Sequence, residues 1–83
     1  MLLFWLIFFL TKIKVKMAIL KVIEILSDSD KSWEDATREG VSKASETVKN
    51  IRSAFVQTQS TTVKGGEVDK FRVNLKITFE VDG

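Results

Sequence analysis

The 83-residue chain contains no cysteine and no histidine. It therefore has no disulfide, no thiolate or imidazole metal ligand, and no histidine to titrate near neutral pH. Cys/His and Ser/His catalytic arrangements are excluded, and we do not expect an enzyme. A domain this small buries only about 60% of its unfolded surface, so it needs disulfides, metals or oligomerisation for stability. Of these, the composition favours oligomerisation.

Positive charge is concentrated at the N-terminus. The chain has 13 basic and 11 acidic residues. Residues 1–16 contain three lysines and no acid, which leaves ten basic and eleven acidic residues, a net charge of −1, for residues 17–83. A nucleic-acid-binding surface needs clustered lysine and arginine, so we do not expect nucleic acid as a partner.

The first ten residues, MLLFWLIFFL, form an uninterrupted apolar run. A membrane-spanning helix needs about twenty apolar residues, so we do not expect a membrane partner. Three interpretations stay open: an extension from a mis-set start with Met17 as the natural one, an interfacial anchor, or a secretion signal. We divide the chain into an extension, residues 1–16, and a compact domain, residues 17–83.

Hydrophobic patterning of the compact domain predicts the element order β-α-β-β. The β-branched run 18–26 predicts a buried first strand, and the polar run 27–31 predicts a loop. That Asp/Ser loop lacks the glycine and the closing glutamate of an EF-hand, so we expect it to be solvated. Ser32 is a typical N-cap and begins a helix that we predict to contain about 19 residues, with a left-handed exit near Asn50.

One helix stripe of mostly small residues is predicted to pack on a sheet. Its members recur at spacings of three, four or seven: Trp33, Ala36, Gly40, Val41, Ala44, Val48 and Ile51.

The last strand alternates apolar and polar residues from residue 70 to residue 82. It would reach roughly 40 Å, whereas the helix would reach only about 28 Å, so we expect other copies of the chain to cover part of the sheet. A strand at about 53–63 and the turn 64–67 precede it.

Alternation along the second strand assigns its side chains to two faces. Ala54, Val56 and Thr58 are predicted to lie under the helix. The opposite face is predicted to carry Ser53, Phe55, Gln57 and Gln59, with Phe55 beside Arg72 and Asn74. Phe55 then has two interpretations that stay open, a subunit contact and a platform for stacking a ligand.

The segments KVIEILSDSDKSWEDATREGVSKASETVKNIRSAFVQTQ and FRVNLKITFEVDG together resemble the dodecin family. The resemblance covers nearly all of residues 17–83 and none of residues 1–16. It implies an α+β subunit whose three-stranded antiparallel sheet is partly wrapped around one helix. It also implies a hollow homododecamer, a non-enzymatic role in binding or storing a small molecule, and a cytoplasmic location.

The family's best-known ligand is a flavin (riboflavin, FMN or FAD), stacked between tryptophans of neighbouring subunits. Ser53 matches the stacking tryptophan, Arg72 matches a glutamine that binds the flavin's pyrimidine edge, and Ser60 matches an arginine used toward a phosphate. Because Phe55 shares a sheet face with Ser53, its ring offers a displaced stacking surface. The resemblance implies a flavin site at Ser53, Phe55 and Arg72. The alternative is the tryptophan-less branch, some members of which are calcium-associated.

Overall fold

The computed structural model describes residues 18–81, and the predictions for residues 1–16 lie outside the described residues. Four elements follow in order: β1 (Ile19–Ser29), α1 (Trp33–Ala44), β2 (Ile51–Lys64) and β3 (Glu67–Val81). The strands form one antiparallel sheet in which β3 lies between β1 and β2. The predicted β-α-β-β order is confirmed.

The core lies between α1 and the centre of β3. Val73, Leu75 and Ile77 are fully buried, together with Ala36 of the helix. These three β3 residues belong to the apolar set predicted from the alternation, because every second side chain of a strand points to the same face. Flanking the core are partly buried side chains from the other elements: Ile23, Ile25, Trp33, Val41, Ala44, Ile51 and Val56.

The helix begins where the sequence predicts and ends earlier. The Ser32 hydroxyl oxygen accepts a hydrogen bond from the Asp35 backbone amide at 2.9 Å, which is the N-cap interaction. The helix has 12 residues rather than about 19 and ends at Ala44. The chain leaves the helix because the amides of Glu46 and Thr47 bond to the carbonyls three residues earlier, which forms tight turns.

Asn50 occupies the predicted left-handed conformation, with φ of 63°. It lies directly before β2, not at the end of the helix.

Close contact between α1 and β1 depends on a residue without a side chain. Gly40 is buried against the sheet. A Cβ on Gly40 would lie 2.8 Å from Leu75 Cδ1 and 3.1 Å from Ser27 Cβ. Ser27 Oγ in turn donates a hydrogen bond to the Ala36 carbonyl at 2.7 Å. The helix and the sheet are therefore joined by packing and by one polar contact.

A bulge in β2 changes the predicted alternation. Val56 pairs with Leu75 on the core side, as predicted, but the register shifts before Thr58, which pairs with Asn74. The prediction that Thr58 lies under the helix is therefore wrong, as is the assignment of Gln59 to the other face, because Gln59 pairs with the buried Val73. The extra residue in the bulge reverses the facing of every later side chain.

The turn between β2 and β3 contains Gly65 and Gly66, with φ of 60° and 78°. Positive φ at both central residues is the requirement of the tight hairpin turn, which glycine meets without strain. The predicted glycine-rich turn is confirmed.

Candidate functional site

The predicted site residues lie on the side of the sheet opposite α1, which we call the helix-free face. Its side chains alternate along each strand with those that face the core. They are, from β1, Leu20, Val22, Glu24, Leu26 and Asp28; from β3, Arg72, Asn74, Lys76, Thr78 and Glu80; and from β2, Ser53, Phe55, Thr58 and Ser60.

Ser53 and Phe55 are neighbours on the helix-free face, as their spacing predicts. Ser53 pairs with Thr78 and Phe55 pairs with Lys76, and both side chains are exposed. Phe55 keeps 64% of its surface accessible, which makes it the most exposed aromatic ring of the described residues. The ring is available for a contact that one subunit does not provide.

Arg72 is placed away from this pair within a subunit. It pairs with Ser60, whereas Phe55 pairs with Lys76, four residues further along β3. At about 3.3 Å per residue the two positions are roughly 13 Å apart along the strand. The structure therefore does not bring Arg72 together with Ser53 and Phe55 in one chain. The assignment of these three residues to a flavin site stays a prediction.

Arg72 is held by a carboxylate on the neighbouring strand. Its Nε donates to Asp28 Oδ1 at 2.7 Å and its Nη2 donates to Asp28 Oδ2 at 3.0 Å, a bidentate geometry. The hydrogen bond from Arg72 lowers the pKa of Asp28 below its usual value, and the same bond raises the pKa of Arg72. The guanidinium donors that a ligand would need are thus directed at Asp28.

A second ion pair lies beside the first and joins β3 to a residue that follows β1. Lys70 Nζ donates to Asp30, and this hydrogen bond raises the pKa of Lys70. On the helix-free face, Asn74 Nδ2 donates to Glu24 Oε2 at 3.1 Å, while the buried Asn74 Oδ1 accepts no hydrogen bond from the described residues. Polar groups at this end of the sheet therefore bind mainly to one another.

Trp33 joins the helix to β2 at the same end. Its indole nitrogen donates to the Ser60 carbonyl at 2.8 Å. Its ring meets Phe71 edge to face, with 5.2 Å between the ring centroids. Trp33 packs against the core, so its side chain stabilises the subunit.

The amino-acid pattern did not lead us to predict the exposed apolar side chains of β1 on the helix-free face. Leu20, Val22 and Leu26 are 53%, 57% and 64% exposed. The prediction of a buried first strand is therefore wrong for a single subunit, because β1 is an edge strand with α1 on only one of its faces. Apolar residues occur at both odd and even positions of β1, so both faces of the strand carry them. This pattern is typical of a strand covered on both faces, and it is the signal that could have predicted the apolar surface.

Carboxylates do not converge on a metal-binding cluster within residues 18–81. No group of three His, Cys, Asp or Glu side chains there is arranged to hold a metal ion. Asp28 and Asp30 bind Arg72 and Lys70, and Asp35 accepts a hydrogen bond from the Ser29 hydroxyl at 2.6 Å. None of the helices between residues 18 and 81 has the length and apolar character needed to span a membrane.

Comparison with known proteins identifies the family of this chain. The dodecin family model matches residues 19–82. The chain belongs to the dodecin family. Dodecins form homo-oligomers, and the predicted β-α-β-β dodecin fold is confirmed. A dodecameric assembly is consistent with the structural neighbours.

Two relatives illustrate the range of the family. A curated protein of Mycobacterium tuberculosis called calcium dodecin is 35% identical over 65 residues, which cover 78% of this chain and 92% of that protein. Its crystal structure has a TM-score of 0.69, at 35% identity, and covers 77% of this chain and 91% of that chain. The dodecin from Streptomyces davaonensis has a TM-score of 0.78 at 24% identity and covers 82% of this chain and all of that chain, which shows the shared fold alone.

Proposed function

We propose that this chain is a subunit of a non-enzymatic, cytoplasmic dodecin shell that associates with calcium and does not stack a flavin between rings at the start of β2. The observation that carries the proposal is the bidentate bond between Arg72 and Asp28. It occupies the side chain that matches the flavin-binding glutamine, while Ser53 lacks the ring that stacking requires. Two of the expected flavin contacts are therefore absent from the subunit.

Calcium is favoured by the relative called calcium dodecin, which is 35% identical to this chain over 65 residues. Calcium takes six to eight oxygen ligands. Residues 18–81 of one subunit hold no three-acid group that fits such an ion, so carbonyl oxygens, water or a second subunit would complete a calcium site. An ion that binds the folded assembly and not the unfolded chain stabilises the assembly by mass action.

Flavin binding is the second candidate, and one observation favours it. The exposed Phe55 ring lies two residues from Ser53 on the same face. In an assembly, Phe55 rings from neighbouring subunits can approach each other and form a stacking site that one subunit alone does not provide.

Two titrations on the purified protein separate these candidates. For calcium association, we expect the thermal unfolding temperature to rise with CaCl2 and not with equal MgCl2, and EDTA to reverse the rise. Riboflavin fluorescence is expected to stay unquenched at micromolar protein. Quenching at submicromolar protein would show that flavin, and not calcium, is the ligand. No response to either titration would refute both the calcium proposal and the flavin candidate.

A further inference from the structure

Arg72 and Asp28 form their ion pair at the surface of the subunit. Their side chains keep 41% and 36% of their surface accessible. Within residues 18–81, Arg72 forms an ion pair with Asp28 alone. A small solute can therefore reach the guanidinium of a subunit without disturbing the core, and only one carboxylate competes with it.

Asp28 binds Arg72 in the way that the acid group of a ligand would. Two parallel N–H···O bonds, at 2.7 and 3.0 Å, join the edge of the guanidinium to the two oxygens of one carboxylate. Arginine uses this geometry to recognise carboxylates and phosphates. Asp28 lies directly opposite Arg72 in the β1–β3 register, so its effective concentration at the guanidinium is on the order of millimolar or higher. A dilute external anion is therefore excluded.

The neighbours of Arg72 are also suited to an anion. Ser60 lies directly opposite Arg72 on β2 with an exposed side chain, and side chains so placed have Cβ atoms about 5 Å apart. Lys70 lies two residues from Arg72 along β3 and pairs with Asp30. This end of the sheet thus carries two cations and two acids, and removal of Asp28 leaves it with a net positive charge, two parallel donors and a hydroxyl.

We propose that Asp28 is a specificity-determining residue, an internal ligand that closes Arg72 to external anions. The site that it closes takes a carboxylate or phosphate group, held by the guanidinium of Arg72 with Ser60 and Lys70 beside it. This inference rests on the proposed function, in which Arg72 is occupied by Asp28 and the shell associates with a cation. One carboxylate on β1 thereby determines the sign of the ligand that this end of the sheet accepts.

Calorimetric titration with inorganic phosphate, in calcium-free buffer at constant ionic strength, tests the proposal. Asp28→Asn removes the internal ligand at nearly constant shape, and Asp28→Ala removes it altogether. Asp30→Asn is the matched control, because it changes the net charge equally but frees an ammonium without paired donors. Asp28→Asn/Arg72→Lys keeps the cation and removes the paired donors. Light scattering and circular dichroism measure the mass and fold of each variant.

We expect both Asp28 variants to bind phosphate at least tenfold more tightly than the unchanged protein, and Asp30→Asn and the double variant to lose most of this gain. An unchanged affinity in the Asp28 variants would overturn the proposal, and so would an equal gain in Asp30→Asn, because the effect would then be one of general charge. Failure of both Asp28 variants to assemble would also overturn it, since the pair would then serve folding and not ligand choice.

The calcium titration of the unchanged protein tests the proposed function separately. A calcium response together with unchanged phosphate affinity in the Asp28 variants would overturn this inference alone. Tight phosphate binding by the unchanged protein would overturn both, because Arg72 would then be open to ligands although Asp28 is present.

Discussion

Adding one methyl group at Gly40 tests the close packing of the helix on the sheet. In Gly40→Ala the new Cβ would lie 2.8 Å from Leu75 Cδ1, 3.1 Å from Ser27 Cβ and 3.2 Å from Ser27 Oγ. Leu75 is fully buried, so its Cδ1 atom must shift within the packed core to admit the new methyl group. Displacing Ser27 weakens its hydrogen bond to Ala36, which contributes about 1 kcal/mol.

Two opposing effects determine the magnitude of the change. Overpacking a core by a methyl group costs about 1–3 kcal/mol. Replacing glycine by alanine inside a helix recovers about 1 kcal/mol. We therefore expect Gly40→Ala to destabilise the fold by about 1 kcal/mol, which lowers the unfolding temperature by about 4–8 °C in a domain of this size.

Circular dichroism during heating measures this shift, at one fixed protomer concentration because the unfolding temperature of an oligomer depends on concentration. Ser42→Ala is the control, since it adds helix propensity at an exposed position and is expected to be neutral or slightly stabilising. Leu75→Val removes the obstructing Cδ1 atom, so the cost of Gly40→Ala is expected to fall by at least 0.5 kcal/mol in that background. A rise in the unfolding temperature of Gly40→Ala would refute the proposed close contact.

Three further predictions concern ligand, pH and the N-terminus. Ser53→Trp is expected to tighten riboflavin binding at least tenfold, about 1.4 kcal/mol, in a fluorescence titration, and unchanged binding would remove Ser53 from the flavin site. The pKa of Asp28 is lowered from 3.8, so its contribution to stability is present above that value and is lost as pH falls further through the folded pKa. The unfolding temperature of Asp28→Asn is accordingly expected to lie below that of the unchanged protein at pH 7 and to converge with it below about pH 4; a constant difference down to pH 2 would contradict this. A chain beginning at Met17 is expected to form the same oligomer with the same unfolding temperature, and loss of assembly on light scattering would make residues 1–16 part of the interface.

The alternation of apolar and polar residues and the N-cap of the helix predicted most of the fold, because both are features of residues close together in the sequence. Every second residue of β3 from Val73 to Ile77 is buried, and Ser32 caps the helix. The length of the helix was not predictable in this way, since the apolar stripe continues past Ala44 to Val48, in the connection after the helix, and to Ile51, in β2. A bulge such as the one before Thr58 likewise leaves no mark in a pattern of alternating residues.

The candidate site was less predictable than the fold because it depends on contacts between distant strands. The sequence placed Phe55 beside Arg72 and Asn74. The three residues share a face, but Phe55 pairs with Lys76, so the placement of Phe55 beside Arg72 is wrong. It did not predict that Asp28, 44 positions earlier, would bind Arg72. Pairing of this kind depends on the register of β1 against β3, which is set by the packing of the whole subunit.

The central position of β3 has a consequence for how the protein is made. Within the described residues β1 and β2 pair only with β3, and Ile23 of β1 meets Ile77, which is 54 positions later. During synthesis β1 and α1 leave the ribosome before the strand that they pack against, so the three-stranded sheet closes only after β3 has emerged. Contacts this distant in sequence are slow to form, whereas the β2–β3 hairpin forms locally. A ribosome that stalls before residue 77 therefore yields a chain without a complete core.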